Sequence, residues 1–259
     1  MGNYNVRYIT EETDEQNNWV NRKTRVVRSI KDNDFDCFGL NECSTGIQSY
    51  LSDALSGTYD IRYFSPYGQN GNGSAGEAIG LAYKKDKFLL SDWHYFWLSD
   101  TPSVITTNDG TKKRGGCCAI LTARKTGTKV FVMVTHGALD ADARAAHAAQ
   151  YEQMEKQYNK GGLPSLFVGD MNALPDDPAT VVYRQYWDDA YLSSKVVTGP
   201  YCTFNAFNLE RNMYTYNKRL DYIYYRGCTS LRYRCNDKLY DGYYASDHLP
   251  VYADVRLRN

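Results

Sequence analysis

The chain has no surplus of charge: 30 Lys and Arg balance 30 Asp and Glu over 259 residues. Partners held by bulk electrostatics are therefore excluded, and an anionic partner has to be met by a local site. Long apolar runs are absent as well. The longest, such as Val130–Val134 and Cys117–Leu121, are strand-sized, far below the roughly 18 residues of a membrane span, so no stable membrane insertion is expected. Cys-x-x-Cys pairs are missing among the seven cysteines; a zinc site and a disulfide scaffold are both excluded, the odd count leaves one thiol unpaired, and the cysteines read as buried thiols. No signal-peptide pattern precedes the strand-like run near Val6, which leaves localisation open, including a secreted or periplasmic one after removal of a leader. There is no internal repeat and no Pro-, Gly- or Ser-rich linker, so residues 1–259 are expected to form one domain. The Gly-rich stretch Gly68–Gly76 lacks the Lys-Ser/Thr ending of a phosphate loop and reads as a mobile surface loop.

What is present is a globular composition, 42% hydrophobic and 23% charged, on a chain long enough to bury a large core. Short apolar or alternating runs predict strands at Val6–Thr10, Phe35–Leu40, Tyr59–Phe64, Ala78–Tyr83, Cys117–Ala123, Val130–Thr135, Ser165–Val168, Asp221–Tyr225 and Val251–Val255. Helical faces appear at Trp19, Val26, Val27 and Ile30, and at Ile47, Leu51, Ala54 and Leu55. A third helix is expected over Asp142–Tyr158, stopped by Gly161-Gly162, and a fourth from Pro178. Twenty-four tyrosines crowd with positive charge between Arg211 and Arg234. Such interleaving stacks bases and holds phosphates in some proteins; the plainer reading, a half-buried sheet with packed Tyr rings, is preferred.

Three clusters carry chemistry. In Phe167-Val168-Gly169-Asp170-Met171-Asn172 a strand ends in a carboxylate and an amide two residues apart, on one face. A carboxylate takes or aligns the proton of a water and an amide donates to a phosphoryl oxygen, which suits phosphate-ester hydrolysis; an Asp-x-Asn helix cap is the alternative. In Ser246-Asp247-His248-Leu249-Pro250, Asp247 is suited to a cation and His248 to the substrate, with Asp221 as candidate orienter of the ring. The chain has only four histidines, and His136 also stands at the end of a strong strand. In Phe38-Gly39-Leu40-Asn41-Glu42, Glu42 reads as a metal ligand or as a capping or solvated Glu. Mg²⁺ needs only one or two carboxylates plus substrate oxygen.

In order along the chain, Asn18-Trp19-Val20-Asn21-Arg22-Lys23, Gly39-Leu40-Asn41-Glu42, Gly76-Glu77, Phe96-Trp97-Leu98-Ser99, Val134-Thr135-His136, Gly169-Asp170-Met171-Asn172, Thr203-Phe204-Asn205, Arg219-Leu220-Asp221-Tyr222-Ile223 and Ser246-Asp247-His248-Leu249-Pro250 resemble the endonuclease/exonuclease/phosphatase superfamily. The stretches around Trp19 and Phe96 look most like its compact bacterial members of uncertain substrate. The resemblance implies an α/β fold, a four-layer α/β/β/α sandwich of two packed mixed sheets, with the site at one end. It also implies Mg²⁺ as cofactor, with Mn²⁺ as a substitute. Glu42 would be the principal metal ligand and Asp247 a second. Asp170 would activate or align water, Asn172 would hold the phosphoryl group, His248 oriented by Asp221 would stabilise charge or protonate the leaving group, and His136 steadied by Glu77 would contact the phosphate.

Two departures from the family pattern stand out. The first strand of the family delivers an Asn to the metal, and the position aligned here is Glu12, in Tyr8-Ile9-Thr10-Glu11-Glu12-Thr13. Glu12 is expected to replace it, adding a carboxylate that tightens cation binding and repels an anionic substrate. The loop after His136 also differs, with Leu139-Asp140 two positions late. Arg114, in Lys112-Lys113-Arg114-Gly115-Gly116, reads as a solvated basic turn outside the catalytic set.

The leading functional reading is a monomeric Mg²⁺-dependent phosphodiesterase or phosphatase acting on a small or lipid-linked phosphate ester by in-line attack of water, favoured by the neutral net charge. A nuclease acting on nucleic acid is the runner-up, on the strength of the Tyr and Arg crowding. The third reading is a non-catalytic binding module on the same fold, motivated by Glu12 and the altered His136 loop.

Overall fold

The computed structural model describes residues 1–68, 77–106 and 112–257; most of the Gly68–Gly76 loop expected from the sequence lies outside them. In chain order the strands are β1 (Gly2–Asn5), β2 (Cys37–Cys43), β3 (Tyr59–Phe64), β4 (Ala78–Lys84), β5 (Phe88–Trp97), β6 (Gly115–Ala123) and β7 (Lys129–His136). They continue with β8 (Ser165–Asp170), β9 (Asp188–Asp189), β10 (Val196–Thr198), β11 (Asp221–Arg226), β12 (Cys228–Cys235) and β13 (Val251–Leu257). The helices are α1 (Trp19–Asn33), α2 (Thr45–Leu55), α3 (Ala141–Tyr158), α4 (Pro178–Tyr186) and the short α5 (Ala190–Ser193).

The strands form two mixed sheets, one in the order β10-β12-β13-β1-β2-β4-β3 and the other β5-β6-β7-β8-β11-β9. Three separate apolar layers define the stacking. Leu81, Ile79, Val132, Val134, Val168, Ile223 and Val251 fill the space between the sheets. Val26, Val27 and Ile30 of α1 and Ile47, Leu51 and Leu55 of α2 cover the outer face of the first sheet. Ala148, Tyr151 and Met154 of α3 and Tyr183 of α4 cover the second sheet at Phe131, Phe167 and Tyr224. The architecture is the α/β/β/α sandwich. Strands β2, β4 and β8 are buried at every residue, as strands covered on both faces must be, which is why their central residues are mostly apolar and their polar residues gather near the ends.

Helix boundaries follow local chemistry. Asp140 caps α3 by accepting from the Ala143 N–H at 2.9 Å, one residue ahead of the expected start. Asp177 caps α4 by accepting from Ala179 N–H, with Pro178 in the first turn. α1 ends where Asp34 takes a left-handed conformation, φ 48°.

Two sequence expectations are corrected. The first strand is Gly2–Asn5 rather than Val6–Thr10; it lies inside the sheet between β13 and β2. The polar residues Asn3 and Asn5 disguise it, because both are fully buried and turned toward the other sheet while Tyr4 faces the helices. Strands β5 and β12 were not among the expected ones. β5 is an edge strand, largely exposed and interrupted by a bulge between Ser91 and His94; β12 alternates buried Ser230 and Tyr233 with exposed Arg232 and Arg234. All seven cysteines are buried. Among the described residues no helix is long and apolar enough to cross a membrane.

Candidate active site

Strand register builds half of the site. β7 runs parallel to β8, with His136 opposite Asp170, and β11 runs antiparallel to β8, with Asp221 opposite Asp170. Three polar side chains far apart in sequence thus stand in a row at one end of the second sheet. The first sheet supplies the facing half. The pairing of β2 with β4 shifts between Leu40 and Cys43, and within that irregularity Glu42 adopts φ 62°. A β-bulge re-aims a side chain, and here it turns Glu42 into the cleft. Arg7 (φ 56°) and Asn172 (φ 49°) share the left-handed conformation. Non-glycine residues at such angles persist only where the surroundings over-determine them, and all three line one open cavity of about 400 Å³.

A hydrogen-bond network closes the gap between the sheets. Asn5 Nδ2 donates to Glu42 Oε1 at 2.9 Å and to Asp170 Oδ2 at 2.9 Å. Asn3 Nδ2 donates to Asn41 Oδ1 at 3.1 Å and Asp221 Oδ1 at 3.2 Å, and Asn41 Nδ2 donates to the Thr135 carbonyl at 2.6 Å. Each Asn is completely buried. Their amides satisfy carboxylates that would otherwise be desolvated without partners. Asp170 Oδ1 accepts from the Asn172 N–H at 2.9 Å, so both Asp170 oxygens are fixed.

The two histidines approach Asp170 Oδ2 from either side, His136 Nε2 at 3.5 Å and His248 Nε2 at 3.6 Å. His248 Nδ1 lies 2.8 Å from Asp221 Oδ2, the partnership expected from sequence. Burial opposes a charge on His248, but Asp221 and Asp170 outweigh it and hold the imidazole protonated well above its usual range. Burial pushes Asp221 up against the pull of His248; in this coupled pair the proton belongs on the ring, which faces two carboxylates. Asp170 is held below the usual carboxylate range, because His248 and His136 together overcome its burial. Asp247 goes the other way. Burial, with the neighbouring Glu42 charge, pushes it up to about 6 against the opposing pull of His248 and Arg7.

That last shift bears on a metal. Glu42, His136 and Asp170 each offer a ligand atom within 4.8 Å of the others, and Asp247 lines the same cavity. The donors are mostly hard oxygens, and the raised Asp247 marks a place short of positive charge. The residues fit a divalent cation of the Mg²⁺ class. A second grouping, Asp170, Asp221 and His248, meets the same distance criterion, but its imidazole donates to Asp221 and is accounted for as an ion pair.

Of the residues singled out from sequence, Glu42, Glu77, His136, Asp170, Asn172, Asp247 and His248 line the cavity, and Asp221 stands behind His248. Glu12 does not. Its carboxylate accepts from Arg7 Nε at 2.8 Å, and the position facing Glu42 and Asp170 belongs to Asn5; placing the strand at Val6–Thr10 displaced the comparison by several residues. Arg114 is also corrected: it is 4% exposed, with Nη1 3.3 Å from Glu77 and 3.1 Å from His136 Nδ1. Glu77 itself is 4.0 Å from that ring, so Arg114 stands between them, and the surrounding His136, Arg114 and Lys112 keep Glu77 below the usual range despite burial. Asn3, Asn5 and Arg7 were missed; the signal for Asn5 is an Asn closing a short strand that precedes a Trp-x-x-Arg helix start.

The tyrosine-rich stretch resolves as the plainer reading. Tyr222, Tyr224 and Tyr233 are buried, and Arg219 is buried with its Nη2 2.7 Å from Asp189 and its guanidinium over Tyr222.

The comparisons agree with this fold. A family profile described as "Endonuclease/Exonuclease/phosphatase family" matches residues 2–248. An endonuclease/exonuclease/phosphatase from Bacteroides vulgatus is 26% identical, with a TM-score of 0.88 over 99% of this chain and 98% of that one. A family protein from Bacteroides thetaiotaomicron is 23% identical at a TM-score of 0.90 over 100% and 97%. The mannosyl-6-phosphatase of Bacteroides thetaiotaomicron is 23% identical at 0.84 over 98% of each chain. No curated protein matches. Family members are generally hydrolases of phosphate esters. With the profile spanning nearly the whole sequence, the chain belongs to the endonuclease/exonuclease/phosphatase family.

Proposed function

We propose that the protein is a divalent-metal-dependent hydrolase of a small or lipid-linked phosphate ester. The observation that carries this reading is the convergence of Asp170, set between two histidines by strand register, with Glu42 and Asp247 across one cavity. Glu42, Asp170 and Asp247 would hold the ion, which when bound supplies Lewis-acid offset of the charge growing on the ester.

The chain's own groups divide the remaining work. Asp170 Oδ2 is an acceptor between two rings, and its depressed proton affinity makes it better at aligning a water than at removing a proton outright. His248, kept charged by Asp221, presents Nε2 to the cavity as a donor to a phosphoryl or leaving oxygen. Asn172 Nδ2, 3.1 Å from His136 Nε2, lies beside that ring as a second neutral donor. Asn5 positions Glu42 and Asp170 through its two amide hydrogens and touches no substrate.

Each alternative loses part of its motive. A non-catalytic module was suggested by a Glu at the Asn position and by the loop after His136, and Asn5 stands at that position instead. A nuclease was suggested by Tyr and Arg crowding between Arg211 and Arg234, where Tyr222, Tyr224, Tyr225, Tyr233 and Arg219 are buried while Tyr214, Tyr216, Arg232 and Arg234 are exposed. The test is release of nitrophenol from p-nitrophenyl phosphate and bis(p-nitrophenyl) phosphate with Mg²⁺ or Mn²⁺, abolished by chelator; absence of turnover on both with every divalent ion would discard the reading.

A further inference from the structure

Arg7 follows β1 and enters the cavity beside the proposed metal ligands. Its backbone is held in a left-handed conformation, φ 56°, by three contacts. The Arg7 N–H donates to Asn5 Oδ1 at 2.9 Å, and the Arg7 carbonyl accepts from Arg22 Nη2 at 2.5 Å. Arg22 is 1% exposed and also donates through Nη1 to the Val6 carbonyl at 2.5 Å, so a buried guanidinium grips the two peptides that present Arg7. The next residue completes the mount, since Tyr8 N–H donates to Glu42 Oε2 at 3.0 Å.

The Arg7 side chain is fixed equally firmly. Nε donates to Glu12 at 2.8 Å, and the guanidinium stacks on the Tyr8 ring at 4.5 Å. Among the described residues the two η nitrogens have no hydrogen bond, while Nε lies 3.7 Å from Asp247 Oδ2. Two other cavity cations, Lys112 and Arg114, are engaged by Glu77; Lys218 also lines the cavity, but an ammonium has no planar donor pair. Glu12 therefore acts as the counter-charge that aims Arg7, and its own repulsion of an anion is cancelled there.

We propose that Arg7 is a substrate-binding residue that selects phosphate monoesters over diesters, by engaging the third non-bridging oxygen that only a monoester carries. This rests on the phosphate-ester reading of the same site. Two non-bridging oxygens are common to both ester classes and face the donors at Asn172 and His248. The third carries charge in a monoester and bears a carbon substituent, as a second ester oxygen, in a diester. A rigid, planar donor pair beside Asp247 matches the charged oxygen, and within a cavity of about 400 Å³ it crowds the substituent.

The test compares p-nitrophenyl phosphate with bis(p-nitrophenyl) phosphate in wild type, Arg7→Ala and Arg7→Lys. Arg7→Ala is expected to lose about tenfold or more in kcat/KM on the monoester, the usual scale for a charged hydrogen bond, and less than about threefold on the diester. Millimolar guanidinium should restore the monoester rate in Arg7→Ala, and Arg7→Lys should fall between. Equal losses on both esters, or no loss, overturn the proposal. Should Arg7→Ala fail to fold, Glu12→Gln leaves the guanidinium but frees it, and an unchanged monoester preference in that variant also overturns it. If wild type hydrolyses neither ester, the hydrolase reading fails by itself, and calorimetry with Mg²⁺ decides Arg7 separately. Inorganic phosphate binding more tightly than dimethyl phosphate, with the gap abolished in Arg7→Ala, supports the assignment; no gap, or one that survives the substitution, refutes it.

Discussion

Single residues in this protein are placed by their charge relations. Asp170 and His248 form the centre of the site, and each is expected to matter more to the transition state than to the fold. Asp170→Ala and His248→Ala should lower kcat by several decades, beyond the stability each loses by leaving a buried charge unpaired; near-wild-type turnover in either variant would remove that residue from the mechanism. Asp247 supplies a pH test. Its carboxyl is raised to about 6, above the value near 4 of an unfolded chain, so the metal-free protein loses stability from this group as pH rises through that interval. A cation must displace the retained proton at low pH. Apparent affinity for Mg²⁺, read from thermal upshift or calorimetry, is therefore expected to be about tenfold weaker at pH 5 than at pH 8, and a pH-independent affinity would exclude Asp247 from the metal. At this scale the sequence was informative wherever an acid or imidazole followed an apolar run. Asp170, His136 and Glu42 were legible for that reason. Asn5 was missed, because an amide closing a short, partly polar strand is a faint cue, and the carboxylates that explain its burial are distant in sequence.

At the level of elements, the clearest dependence is between α3, α4 and the loop that follows His136. Arg144 on α3 donates through Nη1 to the Ala138 and Leu139 carbonyls at 3.1 and 2.7 Å, and its Nη2 is 2.7 Å from Asp177, the cap of α4. The altered spacing after His136 is accommodated by this clamp. Asp177→Ala removes a helix cap and an ion-pair partner together, and should cost about 2 kcal/mol in urea denaturation while leaving Mg²⁺ affinity unchanged; a loss under about 0.5 kcal/mol would show that neither contact stabilises the fold. Helices were readable because an apolar stripe and a cap are local features. Strands with one exposed face were harder. β5 and β12 expose alternate side chains, so their polar residues diluted the pattern on which strand recognition depends.

Across the whole molecule, the close approach of the two sheets sets the site. Gly39 lies where they meet: a Cβ there would come within 2.8 Å of Asn3 Oδ1 and of Val168 Cγ2, and 3.0 Å of Val134 Cγ1. Gly39→Ala is expected to cost about 1–3 kcal/mol and, by pushing Asn3 away from Asp221, to lower activity more than the stability loss explains; wild-type melting and turnover would mean that the sheets separate freely at this point. The sequence alone determined the α/β sandwich, the family resemblance and most of the acids and imidazoles of the site, because apolar periodicity and short motifs are local. Only the tertiary structure decided that Asn5 rather than Glu12 faces the carboxylates, that Arg114 is buried against His136, and that Arg7 enters the cavity. Each of those depends on strand register and on burial between sheets joined by residues up to about two hundred positions apart, and a charged side chain shows its partner only when the chain has closed around it.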